Sequence, residues 1–96
     1  MPAVLLFATL DTKGREAAFI RDLLRSWAIA VTVVDVGALG SPAVTPDITR
    51  EHIFELGGTT LELVRRNADR GQAVTTAAAG AVRLAREAHA KNEVAG

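Results

Sequence analysis

Two apolar runs on either side of one amphipathic segment fix most of what this chain can become. "AVLLFATL", residues 3–10, has no polar alternation, the pattern of a strand buried on both faces. "IAVTVVDVG", residues 29–37, is a second such run, β-branched, closing on Asp35 and Gly37. Between them Ile20, Leu23, Leu24, Trp27 and Ala28 recur at helical spacing, while Arg15, Glu16, Asp22, Arg25 and Ser26 fill the other side. The spacing predicts a helix over 15–28 with its apolar stripe, Trp27 included, in the core. Strand, helix and strand in such a short span form a βαβ unit, with parallel strands and a right-handed crossover.

The remainder reads as loop and helix. "GALGSPAVTPD", residues 37–47, holds two glycines and two prolines and forms no regular element. Thr49 is the expected N-cap of a short helix over 50–56 that stops at Gly57 and Gly58. Residues 59–66 form a second helical piece. Asp69, with Gln72 three positions on, has the capping-box pattern and opens the longest helix. Along it Val74, Ala77, Ala78, Ala81, Ala85 and Ala88 make a narrow stripe that admits a close neighbour.

The expected fold is therefore α/β: a Rossmann-like three-layer parallel sheet, of which these residues supply the N-terminal βαβ unit and further helices. Sheets average about five or six strands, and only two are found here. Two parallel strands cannot keep both faces dry under several helices. The sheet is expected to be completed by self-association, or by a downstream domain or second chain.

Composition narrows the partners. Eleven basic and eleven acidic residues cancel, with no Lys/Arg stripe, which argues against nucleic acid as the partner. The chain has no cysteine, so disulfides and thiolate chemistry are excluded. The first apolar run lacks a basic leader and is too short to span a bilayer, so no membrane role is expected and the cytoplasm is the expected compartment.

Asp11-Thr12-Lys13-Gly14, between the first strand and the helix, is the candidate site. That loop lies at the carboxyl edge of a parallel sheet, where such folds bind ligands. A helix starting near Arg15 would aim free N–H groups and a positive dipole end there. Gly14 would let a ligand approach the backbone, Lys13 would meet a phosphate, and the Thr12 hydroxyl would donate to an oxygen or help hold magnesium. Asp11 would form the turn, bind a metal on the phosphates, or pair with Lys13. Asp35, 35 − 11 = 24 positions beyond Asp11, stands where an acid in dinucleotide-binding units meets a ribose, or else it holds the second loop. Neither G-x-G-x-x-G nor a Walker motif is present. The plainer reading is that Asp11 and Thr12 cap the helix, Gly14 eases the turn and Lys13 is solvated. Arg70 and Gly71 offer a guanidinium and N–H groups to an anion, or simply form a solvated first turn. His52 and His89 lie on different helices and are expected to face solvent.

Thr9-Leu10-Asp11-Thr12-Lys13-Gly14, then Val34-Asp35-Val36-Gly37, the Gly40–Pro42 loop and Asp69-Arg70-Gly71 form an ordered set. In this set the chain resembles the N-terminal segment of a family of longer proteins. That family includes the plant inhibitors of tobamovirus replication and mostly uncharacterised bacterial ATP-binding-domain proteins. The resemblance implies a Rossmann-like domain that binds ATP, with or without magnesium, and a nucleotide site at Asp11, Thr12, Lys13, Gly14, Asp35, Gly37 and Arg70. Two other readings stay open. One is a protein-interaction module docking through its sheet edge and long helix. The other is part of an enzyme acting on a phosphorylated or acidic small molecule.

Overall fold

In the computed structural model, which describes residues 2–67 and 70–93, the two apolar runs pair as parallel strands. These are β1 (Val4–Ala8) and β2 (Val31–Asp35), in register Val4 to Val31 through Ala8 to Asp35. The intervening helix, α1, spans Leu10–Ser26. Three helices follow: α2 (Arg50–Leu56), α3 (Leu61–Asn67) and α4 (Arg70–Ala90). Both strands are shorter than the apolar runs that encode them.

The layers follow from strand alternation. Leu6, Ala8, Val31 and Val33 face α1, packing with Leu10, Ala17 and Leu24. Val34 and Val36 face the other way, onto Ile53 and Phe54 of α2, Leu61 and Val64 of α3, and Ala77 of α4. Ile53, Phe54 and Val34 are completely buried and form the centre of this larger core.

The alanine-rich helix does come close to a neighbour, and glycine makes it possible. A Cβ on Gly80 would lie 2.0 Å from the Ile53 carbonyl oxygen, and one on Gly57 would lie 2.4 Å from that of Thr76. Ala77 and Ala88 of the expected stripe are buried, but Val74 and Ala78 face out. Thr49 caps α2 as expected, its hydroxyl accepting from His52 N–H at 3.3 Å. The expected cap at Asp69 lies outside the described residues.

Two expectations need correction. A first helical turn begins at Leu10, ahead of the expected start near Arg15, so Asp11 and Thr12 lie within that turn and the helix resumes at Gly14. Thr9 is the N-cap, and Lys13 (φ −119°, ψ 21°) marks a kink. Trp27 is 63% exposed and Phe19 69%. The helix instead buries Leu10, Gly14 and Ala17, because its small residues allow a closer approach than the large ones. Residues 37–47 form no regular element, as expected, and Ile48 just beyond them adds a further parallel bridge to Val34. Asp35 N–H donates to Ile48 O and Ile48 N–H to Val33 O, while Val33 N–H donates to Asp47 Oδ2 at 2.7 Å. Two residues of a proline-containing loop are too few to carry strand periodicity.

Candidate functional site

The carboxyl ends of β1 and β2 open onto a cavity of about 220 Å³. Thr9, Asp11 and Thr12 line it from the start of α1, Val36 to Leu39 from the segment after β2, and Ala73 and Val74 from the first turns of α4. Two helix N-termini thus border one cavity, each bringing the positive end of its dipole.

Asp35 organises this end of the sheet from beneath. It is completely buried, and its Oδ1 accepts from Leu10 N–H at 3.3 Å and Gly37 N–H at 2.9 Å. One carboxylate oxygen thereby fastens the first residue of α1 to the segment after β2. Its other oxygen, Oδ2, has no hydrogen bond and faces Arg50 Nε at 4.0 Å. Arg50 is itself buried and donates from Nη1 to Leu39 O at 3.2 Å. Arg65 grips the same segment, through Nε to Ala38 O at 2.8 Å and Nη2 to Leu39 O. The wall from Ala38 to Leu39 is therefore held by two arginines.

Asp11 is the charged side chain among the lining residues. It is half-buried, and its Oδ1 is shielded from solvent with no hydrogen-bond partner among the described residues. Gly37 makes room for it: a Cβ there would stand 2.8 Å from Asp11 Oδ1 and 3.1 Å from Asp35 Oδ1. A buried acceptor without a donor is costly, by about 1–3 kcal/mol. A hydroxyl, an ammonium or a metal ion reaching it would offset that cost.

The site residues expected from sequence divide into four groups. Asp11, Thr12 and Gly37 line the cavity, and Thr12 Oγ1 lies 3.0 Å from Thr9 Oγ1. Asp35 stands behind it, holding the second loop. Lys13 is exposed and Gly14 buried, and neither lines the cavity. Gly14 serves another close approach, since a Cβ there would fall 2.6 Å from Ala43 Cβ. Arg70 is the first residue of α4, one turn before Ala73. Arg50 and Arg65 carry no sequence signal of their role. Glu62 pairs with Arg66, at 2.9 Å, which leaves Arg65 to the loop carbonyls. His52 and His89 are exposed, and no three metal-ligating side chains gather among the described residues. No helix among the described residues is long and apolar enough to cross a membrane.

Residues 2–96 match the family described as "Uncharacterised protein family (UPF0261) N-terminal domain". The chain belongs to the UPF0261 family. Its UPF0261 relatives include proteins of Mesorhizobium japonicum (35% identical), Brucella suis (30%) and Clostridium tetani (28%). These alignments cover 97–99% of this chain but 23% of each relative. The chain thus spans about a quarter of the length of the UPF0261 relatives it matches. No solved structure matches it. Membership bears out the resemblance as far as the N-terminal domain of an uncharacterised family with bacterial members.

Proposed function

We propose that this domain supplies one wall of a nucleotide site, for ATP with or without magnesium, which the rest of a longer cytoplasmic UPF0261 protein completes. One observation carries the reading: the first turns of α1 and α4 border the same cavity at the carboxyl edge of parallel strands. That is where open α/β sheets take ligands and where helix N-termini favour phosphate. The resemblance to ATP-binding-domain proteins, the plant inhibitors of tobamovirus replication among them, favours the same ligand.

In this reading the roles are distributed as follows. Phosphates would meet the two helix starts and the Thr12 hydroxyl, with Lys13 and Arg70 as neighbouring cations. Asp11 would repel phosphate, so it takes a sugar hydroxyl or a magnesium ion. Asp35 keeps the cavity floor in place and touches no ligand.

The test is calorimetric titration of ATP, with and without magnesium, into the full-length Mesorhizobium relative and into this chain. Saturable binding by the full-length protein supports the reading, provided it weakens at least tenfold when the residue aligned with Asp11 becomes asparagine. Absence of binding to the full-length protein sinks it.

A second reading, a protein-docking module, draws on the outer side of α1, where Phe19, Ile20, Leu23 and Trp27 are all exposed. Apolar side chains grouped on one helix favour a covering partner. Stable association with another protein, unaffected by nucleotide, would favour it.

A further inference from the structure

The two edges of the sheet are not equivalent. Val4 N–H donates to Ala30 O, and Ala8 O accepts from Val36 N–H. By parallel-ladder alternation, residues 4, 6 and 8 turn their backbone groups towards β2, and residues 3, 5 and 7 turn theirs away. On this far side Ala3 N–H donates to Glu93 O at 2.9 Å. Among the described residues, the backbone groups of Leu5 and Phe7 have no partner there.

We infer that the edge of β1 left unpaired at Leu5 and Phe7 among the described residues receives a parallel β-strand supplied by the remainder of the UPF0261 protein, entering the sheet at Glu93. Three observations converge on this occupant. The first is position and direction. After α4, Asn92 takes φ +57°, and Glu93 N–H still bonds Ala88 O. This turns the chain out of its helix and sets it against the amino end of β1, where a parallel neighbour must begin.

The second is handedness. The step from β1 to β2 runs through α1 on one face of the sheet. The return from Ile48 across α2, α3 and α4 runs over the other face and in the opposite direction. Reversing both face and direction preserves the hand of the crossover, so a parallel strand beside β1 obeys the same rule as the first unit. The third is supply. The relatives devote 23% of their length to this domain, which leaves ample chain for more strands. Leu5 and Phe7 are only partly covered, so the incoming strand should be apolar beside them.

Amide hydrogen exchange on the full-length Mesorhizobium relative tests this, read at the positions aligned with Leu5, Leu6, Phe7 and Ala8. Comparable slow exchange at all four, independent of protein concentration, is the expected result. Exchange at the Leu5 and Phe7 positions about 100-fold faster than at the other two would leave the edge unpaired and overturn the inference. Slow exchange at these two positions that is lost on dilution to monomer would also overturn it, because a second copy would then be the occupant.

Discussion

Arg50 Nε lies 4.0 Å from Asp35 Oδ2, and the two side chains are 8% and 1% exposed. Few surroundings hold two opposite charges so far from water, and the remaining contacts show how these do. Asp35 Oδ1 is occupied by Leu10 and Gly37 N–H, and Arg50 Nη1 by Leu39 O. The pair therefore links β2, α1, α2 and the cavity wall, and its removal should be felt in all four.

Asp35→Ala would strand Arg50 and leave two buried N–H groups without an acceptor. The expected loss is about 3–5 kcal/mol, measurable by urea unfolding. Asp35→Asn keeps an oxygen for Leu10 and Gly37 and should lose less. Equal losses from both would show that the charge, not the two hydrogen bonds, dominates.

Gly80 inverts a general preference. Glycine inside a helix is normally worse than alanine by about 0.5–1 kcal/mol. Here the added methyl would meet a carbonyl oxygen at 2.0 Å, so Gly80→Ala should destabilise by about 1–3 kcal/mol. Gly40→Ala is the control: its nearest neighbour would be Asp11 Cβ at 3.9 Å, and a change within about 0.5 kcal/mol is expected. Thermal melts of both variants decide.

The aromatic residues should separate by burial. Phe54→Ala removes a completely buried ring and should cost about 3–5 kcal/mol. Trp27→Ala acts on a ring 63% exposed and should cost about 1 kcal/mol or less. A Trp27 loss approaching that of Phe54 would mean the ring is covered in solution.

Gly37→Ala tests the site itself. Its methyl would enter the space that Asp11 and Asp35 share and push Asp11 out of place. If the proposed site is correct, nucleotide affinity of the full-length relative should fall more than tenfold when the aligned residue is changed. Unchanged affinity with normal stability would remove Asp11 from the site.

Much of this architecture is legible in the residues, because period and β-branching act locally. The βαβ unit, the parallel pairing and the short helix capped by Thr49 all follow from such signals. The start of α1 does not, since Asp11 to Gly14 are individually turn-formers. Thr9, holding Thr12 and Lys13 N–H through its carbonyl, closes a helical turn that breaks at Lys13 before the helix continues. Trp27 shows a different limit. Spacing reveals that α1 is apolar on one side, but not that Gly14 and Ala17 would bring another arc of it inwards. At the site, Asp11, Thr12 and Gly37 were legible from their place after the strands. Arg50 and Arg65 were not, because the carbonyls they hold lie 11 and 26–27 positions away.

The side chain of Asp47, which takes the place of a strand carbonyl beside Val33, has a consequence for behaviour at high concentration. With Pro46 next to it and the cap residue Thr49 just beyond, it blunts that margin of the sheet with a charge and a missing N–H, devices that discourage edge-to-edge aggregation. A sheet that can be extended on one side only cannot propagate. If this chain associates through its backbone in isolation, the product should be a closed pair of two copies rather than a growing fibre.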